Sequence, residues 1–263
     1  MELGLKGKRA LVLAASRGLG YASALGLARE GCDLVMCSRD SGRIQDAARR
    51  IRDATGARVR AMAIDVSTPG GAQQLVDAAV ADYGGLEIAV HNAGGPPAGD
   101  FQSTAVEQWY GAFDHNLMSV VRLAKAAIPE MKKIGYGRLI AITSSSIKQP
   151  IPHLVLSNAT RAGVLGLAKT LSRELAGDNI LVNVLAPGRM ATERTDELDR
   201  AVASRTGKTL EAVRQASVDA IPIGRLGRPE EFANLVVFLA SEAASYITGA
   251  AIQVDGGIIG ALQ

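Results

Sequence analysis

Near neutral pH, histidine is the side chain best suited to carry a proton, and this chain has three: His91, His115 and His153. His153 is the leading candidate for a proton donor, because it lies four residues before Ser157 in a loop that should border substrate. His115 adjoins Asn116; on an α-helix the two point about 100° apart, so His115 is expected to pack or to face solvent. Ser144 and Ser157 supply hydroxyls, but an alkyl alcohol, titrating like water at roughly 15.7, is a weak acid. Arg161 carries charge and moves no proton; its fork suits ribose hydroxyls or a substrate anion. No group of Cys, His and carboxylate residues has metal-site spacing, and no catalytic metal is predicted.

Phosphate chemistry is written nearer the N-terminus. An apolar run, Ala10 to Ala14, enters the turn Ala15-Ser16-Arg17-Gly18-Leu19-Gly20. A small-residue helix from Tyr21 to Glu30 follows, Gly31 stops it, and Leu34 to Cys37 is the next apolar run. This is a β-α-β unit whose helix start offers free N–H groups and a favourable dipole to an anion. The second run ends in Ser38-Arg39, with Arg17 in the turn nearby. An arginine fork suits a phosphate dianion, whereas a ribose 2′-hydroxyl calls for an acid at that point. Asp40 comes too late for that task and is placed to cap the next helix.

The remaining chain alternates in the same way. Helical periods are predicted over Ser41–Thr55, from Pro69 to Gly84-Gly85, from the capping box Thr104-x-x-Glu107 to about Lys133, over Leu154–Ala176, and from Pro229. Between them lie strands at Arg58–Val66, Leu86–Val90, Arg138–Thr143, Ile180–Ala186 and Ala251–Val254. Strict alternation with buried-type strands predicts an α/β class: one doubly wound Rossmann domain over residues 1–263, with about seven parallel strands and helices on both faces. Its ligand should bind at the carboxyl ends of the strands.

The motifs at those ends resemble the short-chain dehydrogenase/reductase family along nearly the whole chain. Ala14-x-x-x-Gly18-x-Gly20 matches the family's glycine turn, with Leu13 and Ala14 in place of its Thr and first Gly. His91-Asn92-Ala93-Gly94 is similar to N-N-A-G, and Asn116 and Ser144 match the family's catalytic Asn and Ser. Asn183, Pro187-Gly188, Thr192, the stretch Ile223 to Glu231, and Val254-Asp255-Gly256-Gly257 match the later signatures. The resemblance implies a cofactor held by Ser16, Arg17, Gly18, Leu19, Gly20, Ser38, Arg39, Asp65, Val66, Asn92, Ala93, Gly94, Arg161, Pro187, Gly188, Met190 and Thr192. With Ser38-Arg39 at the selective point, the implied cofactor is NADP(H). Where the family has Y-x-x-x-K, this chain has Ser157-Asn158-Ala159-Thr160-Arg161. A tyrosine titrates near 10, so an alcohol in its place is disfavoured as an acid by about 8 kcal/mol. The implied catalytic set is Asn116, Ser144, Ser157 and Arg161, with His153 as the alternative donor.

The implied activity is reduction of a small-molecule carbonyl, similar to 3-oxoacyl-carrier-protein reductases, with an atypical proton donor. The alternative is a dinucleotide-binding relative without net redox turnover. Residues 189–221 form an insertion that the family uses as a substrate lid; its Arg200, Arg205, Lys208 and Arg214 suit either a phosphate-bearing carrier or a solvated face. Net charge is +3 without a basic run, which argues against nucleic acid. No run of about 18 apolar residues suggests a membrane span. Cys32 and Cys37 are expected as packed thiols, and with no leader pattern at the start a cytoplasmic chain is expected. A helix apolar on more than one face (Val164, Leu165, Leu167, Ala168, Leu171) and the apolar ending Ile258 to Leu262 predict a homotetramer.

Overall fold

The computed structural model describes residues 2–261; Leu262, the end of the apolar tail, lies outside them. The elements run β1 (Arg9–Val12), α1 (Gly18–Arg29), β2 (Asp33–Ser38), α2 (Ser41–Thr55), β3 (Val59–Ala63), α3 (Gly71–Tyr83), β4 (Ile88–His91), α4 (Val106–Phe113), a π turn (Asp114–Met118), α5 (Ser119–Ile134) and β5 (Gly137–Ile142). They continue with α6 (Val155–Leu175), β6 (Ile180–Pro187), α7 (Glu193–Thr206), α8 (Leu210–Asp219), α9 (Pro229–Ala240) and β7 (Ala251–Val254). The strands form one seven-stranded sheet of order β3-β2-β1-β4-β5-β6-β7, parallel throughout. The order reverses between β1 and β4, which is where a doubly wound sheet opens a crevice at its strand ends.

Two apolar cores account for the sheet. Alternate strand residues point to opposite faces, so Ala10 and Val12 join Leu27, Met36, Ile44 and Phe232 on one side. Leu11 and Leu13 join Leu75, Leu123, Leu139 and Val164 on the other. Cys32 and Cys37 are free and buried, as expected, and burial pushes both thiols up to about 12. No helix among the described residues is long and apolar enough to cross a membrane.

Local chemistry shifts several predicted boundaries. The third strand stops at Ala63 rather than Val66, because Asp65 turns back to accept from Ser67 N at 2.9 Å and Ser67 Oγ at 2.7 Å. Pro69 precedes α3 instead of lying within it, since Gly70 at φ 84° breaks the helical path. Thr104 does not form the capping box: its hydroxyl donates to Asp100 O at 2.7 Å, and Gln108 reaches back to Ala105 N at 2.9 Å. The single long helix from Thr104 is in fact two, α4 and α5, joined by the π turn.

Candidate active site

The strand ends and the segment after β6 enclose a cleft of about 490 Å³. Most of the sequence-predicted residues line it: Ser16 to Leu19, Ser38 and Arg39, Asp65 and Val66, Asn92 to Gly94, Ser144, Ser157 and Arg161, and Pro187, Gly188, Met190 and Thr192. Gly20 stands just behind the wall. A Cβ there would meet Ala14 O at 2.4 Å and Asn92 Nδ2 at 2.7 Å, so the helix can approach the strand this closely only with glycine. Asn92 Nδ2 donates to Ala14 O at 3.3 Å and ties the β4 loop to the turn without a hydroxyl at position 13. Ala14 sits at φ 47°, a conformation that costs an L-residue about 1–2 kcal/mol, at the position where the family motif has glycine. Gly188 is likewise confined, since a Cβ would lie 2.6 Å from that of Asp255. That contact gives the Asp255-Gly256 signature a structural meaning: it packs the end of β7 against the cleft floor.

At the end of β2, Ser38 Oγ donates to Asp40 O at 3.1 Å, and Asp40 caps α2 by accepting from Arg43 N at 3.0 Å. Asp40 thus acts as the expected cap. Arg39 is exposed, and Arg43, which the sequence reading missed, lines the same pocket. Arg43 lies in the first turn of α2, just past the Asp40 cap that follows Arg39. Arg17, read as a further phosphate ligand, is engaged by α7: it pairs with Glu193 and, at 3.7 Å, with Glu197. Burial opposes ionisation of Asp65, but the Ser67 hydrogen bonds and the Arg39 charge hold its carboxyl below the usual range.

The three histidines have different fates. His153 stands at the rim, 39 % exposed and outside the cleft wall. Its Nδ1 meets Asp100 Oδ1 at 2.6 Å and its Nε2 contacts Arg205, so both ring nitrogens are occupied away from the cleft. The structure does not support it as the donor. His91 is buried and gives Nε2–H to Ser119 Oγ at 2.7 Å, because that hydroxyl donates onward to His115 O at 2.6 Å. His115 lines the cleft, contrary to expectation. The π turn that contains it moves the side-chain register off the 100° spacing, and no sequence signal marked that turn. Asn116 stands behind the wall, 2 % exposed, with Nδ2 donating to Ala112 O at 3.1 Å and Oδ1 unpartnered. Asn183 is structural, bridging Ile247 O at 2.8 Å and Ala250 N at 3.1 Å.

At the reacting end, Ser144 Oγ accepts from Ser146 N at 3.1 Å and keeps its own proton for another acceptor. Ser157, 6 % exposed, forms no side-chain hydrogen bond among the described residues. Arg161 donates to Ile142 O at 3.2 Å and to Ala93 O at 3.4 Å. Burial first, then the charge of Arg194, lowers Arg161 to about 10, so it remains a cation at neutral pH. Among the described residues no cluster of three His, Cys, Asp or Glu side chains could hold a metal. Of the cations in residues 189–221, Arg214 pairs with Asp196 at 2.6 Å and Arg205 contacts His153, while Arg200 and Lys208 are exposed.

A glycine-lined crevice at the switch point of a parallel sheet defines a dinucleotide-binding protein of the doubly wound class. The comparisons carry this further. Residues 13–259 match the family model described as enoyl-(acyl carrier protein) reductase. The 3-oxoacyl-[acyl-carrier-protein] reductase FabG of Vibrio cholerae is 34% identical over 259 residues, 97% of this chain and 99% of that protein. Dehydrogenase/reductase SDR family member 4 of Bos taurus is 36% identical over 255 residues, 96% of this chain and 88% of that protein. L-Sorbose reductase from Gluconobacter frateurii, solved with NADPH and L-sorbose, superposes with a TM-score of 0.94 at 35% identity, covering 100% of both chains. The chain belongs to the short-chain dehydrogenase/reductase family.

Proposed function

We propose that this protein is an NADP(H)-dependent oxidoreductase that reduces the carbonyl of a small molecule, similar to 3-oxoacyl reductases, with a rearranged proton supply. The observation that carries the cofactor is the cleft itself: a backbone cradle kept open at Gly20 and Gly188, with Ser38, Arg39 and Arg43 grouped at one end. Two features support a 2′-phosphate there: the exposed Arg39 and the second arginine, Arg43, although Asp40 lines the same end and pairs with Arg43 at 3.3 Å. The relatives whose names specify reductases support the reaction class.

When bound, the nicotinamide supplies a hydride to the carbonyl carbon. The chain's own part is to hold the carbonyl oxygen with the free hydroxyls of Ser144 and Ser157 and to place the Arg161 charge beside it. Asn116 supports the wall from behind. Ser157 is too weak an acid to protonate the product oxygen as a phenol would, so the last proton comes from water. Residues 189–221, which include α7 and α8, close the cleft as a lid, and the protein acts in the cytoplasm as a homotetramer.

The test is binding and turnover together. NADPH should bind more tightly than NADH in a fluorescence titration, and Arg39→Asp should narrow or reverse the preference. Equal dissociation constants in the wild type would refute the cofactor assignment. The vacant tyrosine position favours a second reading, a dinucleotide-binding protein without net redox turnover; that reading prevails if no carbonyl in a broad panel oxidises NADPH.

A further inference from the structure

Arg161 is the buried cation of the cleft. It is 6 % exposed, and the space before it is bounded also by Ser144, Ser157 and Gly94. Its two protein hydrogen bonds go to neutral carbonyls, one of them at 3.4 Å, and Nε has no partner. Among the described residues no carboxylate pairs with it and no ring lies against it. The charge that acts on it is another cation's, that of Arg194, which lines the same cleft and is held by Pro96 O at 2.8 Å and by Glu197 at 3.4 Å.

Arg138, the other deeply buried arginine, also leaves Nε unpartnered and donates only to the carbonyls of Gly137 and Asn179, but a ring and an acid lie near its charge. It is 1 % exposed, lies 3.9 Å from the Tyr136 ring centroid, and feels the charge of Glu242. Arg161 has no such ring or acid; what its pocket lacks lies on the cleft side. A charge taken out of water costs several kcal/mol unless an anion offsets it. Ribose hydroxyls are neutral and leave that cost standing. A carboxylate removes it, because an anion offsets the charge and its two oxygens match the planar donors of a guanidinium.

We propose that the substrate is an oxo acid, whose carboxylate is bound by Arg161 with the help of Arg194 in the room left by a serine at position 157. This rests on the oxidoreductase reading but concerns which carbonyl compound is chosen. On this view the Ser157 and Arg161 changes form one exchange: a proton donor is given up and an anion site gained.

The experiment uses the full chain loaded with NADP⁺ and three matched pairs: pyruvate, acetoacetate and levulinate, each against its own methyl ester. Calorimetry measures binding, and NADPH oxidation by the same pairs measures turnover. At least one acid should bind about 100-fold or more tightly than its ester, as expected where a buried donor would otherwise go unpaired. Arg161→Met should abolish that preference, and Arg161→Lys should restore part of it. If Arg161→Met does not fold, Arg194→Met serves, with a several-fold smaller preference expected. Acids and esters binding alike in the wild type, or no acid binding, overturns the proposal. So does loss of NADP⁺ affinity in Arg161→Met with the acid preference kept, which would assign the cation to the cofactor's own phosphates. Failure of the oxidoreductase reading looks different: acids bind with preference, yet no NADPH is consumed.

Discussion

At the scale of single residues, Ser157 and Arg161 set the chemistry. Both are buried in the cleft wall, and neither delivers a proton near neutral pH: the serine is too weak an acid and the guanidinium holds its proton to about 10. His153 does not replace them, since Asp100 and Arg205 take both its ring nitrogens. General acid catalysis is typically worth about 10²–10⁴-fold. The double change Ser157→Tyr with Arg161→Lys should therefore raise NADPH-dependent reduction of neutral ketones by about 10²-fold. His153→Ala should leave the pH profile of kcat/KM where it was. If the double variant reduces neutral ketones more slowly than the wild type, Ser157 and Arg161 are competent as they stand.

At the scale of elements, α7 and the turn before α1 are joined through charge. Arg17 is half-exposed in the turn and is held by Glu193 and Glu197 from the first two turns of α7. The same arginine lines the cleft, so α7 and a bound cofactor would compete for it. Exposed ion pairs contribute at most about 1 kcal/mol, which bounds the effect. Glu193→Gln with Glu197→Gln should tighten NADPH binding by up to about 5-fold and leave NADH unchanged, measured by fluorescence titration at low salt. An equal gain for both nucleotides would show that Arg17 does not serve the 2′-phosphate. The π turn is the other element with a functional consequence, because it brings His115 to the cleft and leaves Asn116 behind the wall.

For the molecule as a whole, burial of His91 predicts a contribution to acid sensitivity. Unfolded, its imidazole titrates near 6.5; in the fold, burial first and then the charges of Arg161 and His115 hold it down at about 3. The unfolded chain therefore binds the extra proton between these values. The contribution is complete above pH 6.5 and is lost as pH falls towards 3, at about 1.4 kcal/mol per unit. From pH 7 to 5 the urea-unfolding free energy should fall by about 2 kcal/mol more in the wild type than in His91→Asn; equal losses would place the acid sensitivity elsewhere. The outer faces also bear on assembly. Val106, Tyr110 and Phe113 of α4 are 61%, 70% and 44% exposed, and α6 leaves Gly163 and Gly166 uncovered beside them. Pairing of these helices with two-fold copies would bury that surface. Light scattering at micromolar concentration should give a tetramer mass, and Tyr110→Glu with Gly166→Glu should lower it.

The sequence alone determined the seven-stranded doubly wound sheet, the glycine turn, the arginine at the end of β2 and the loss of the tyrosine and lysine. Each is local: period-two and helical patterns, turn residues and motif spacing are read from neighbours in the chain. What only the tertiary structure decided depends on partners far away in sequence. Asp100 and Arg205, 53 and 52 residues from His153, remove that histidine from the cleft. The π turn has no compositional mark, so the helical period misplaced His115. Ala14, conspicuous as a substitution, is seen as strained only once its φ of 47° is known. The surroundings of Arg161 are legible least of all in one dimension, because they consist of the carbonyls of Ile142 and Ala93 and an unpartnered Nε, with no carboxylate beside it among the described residues.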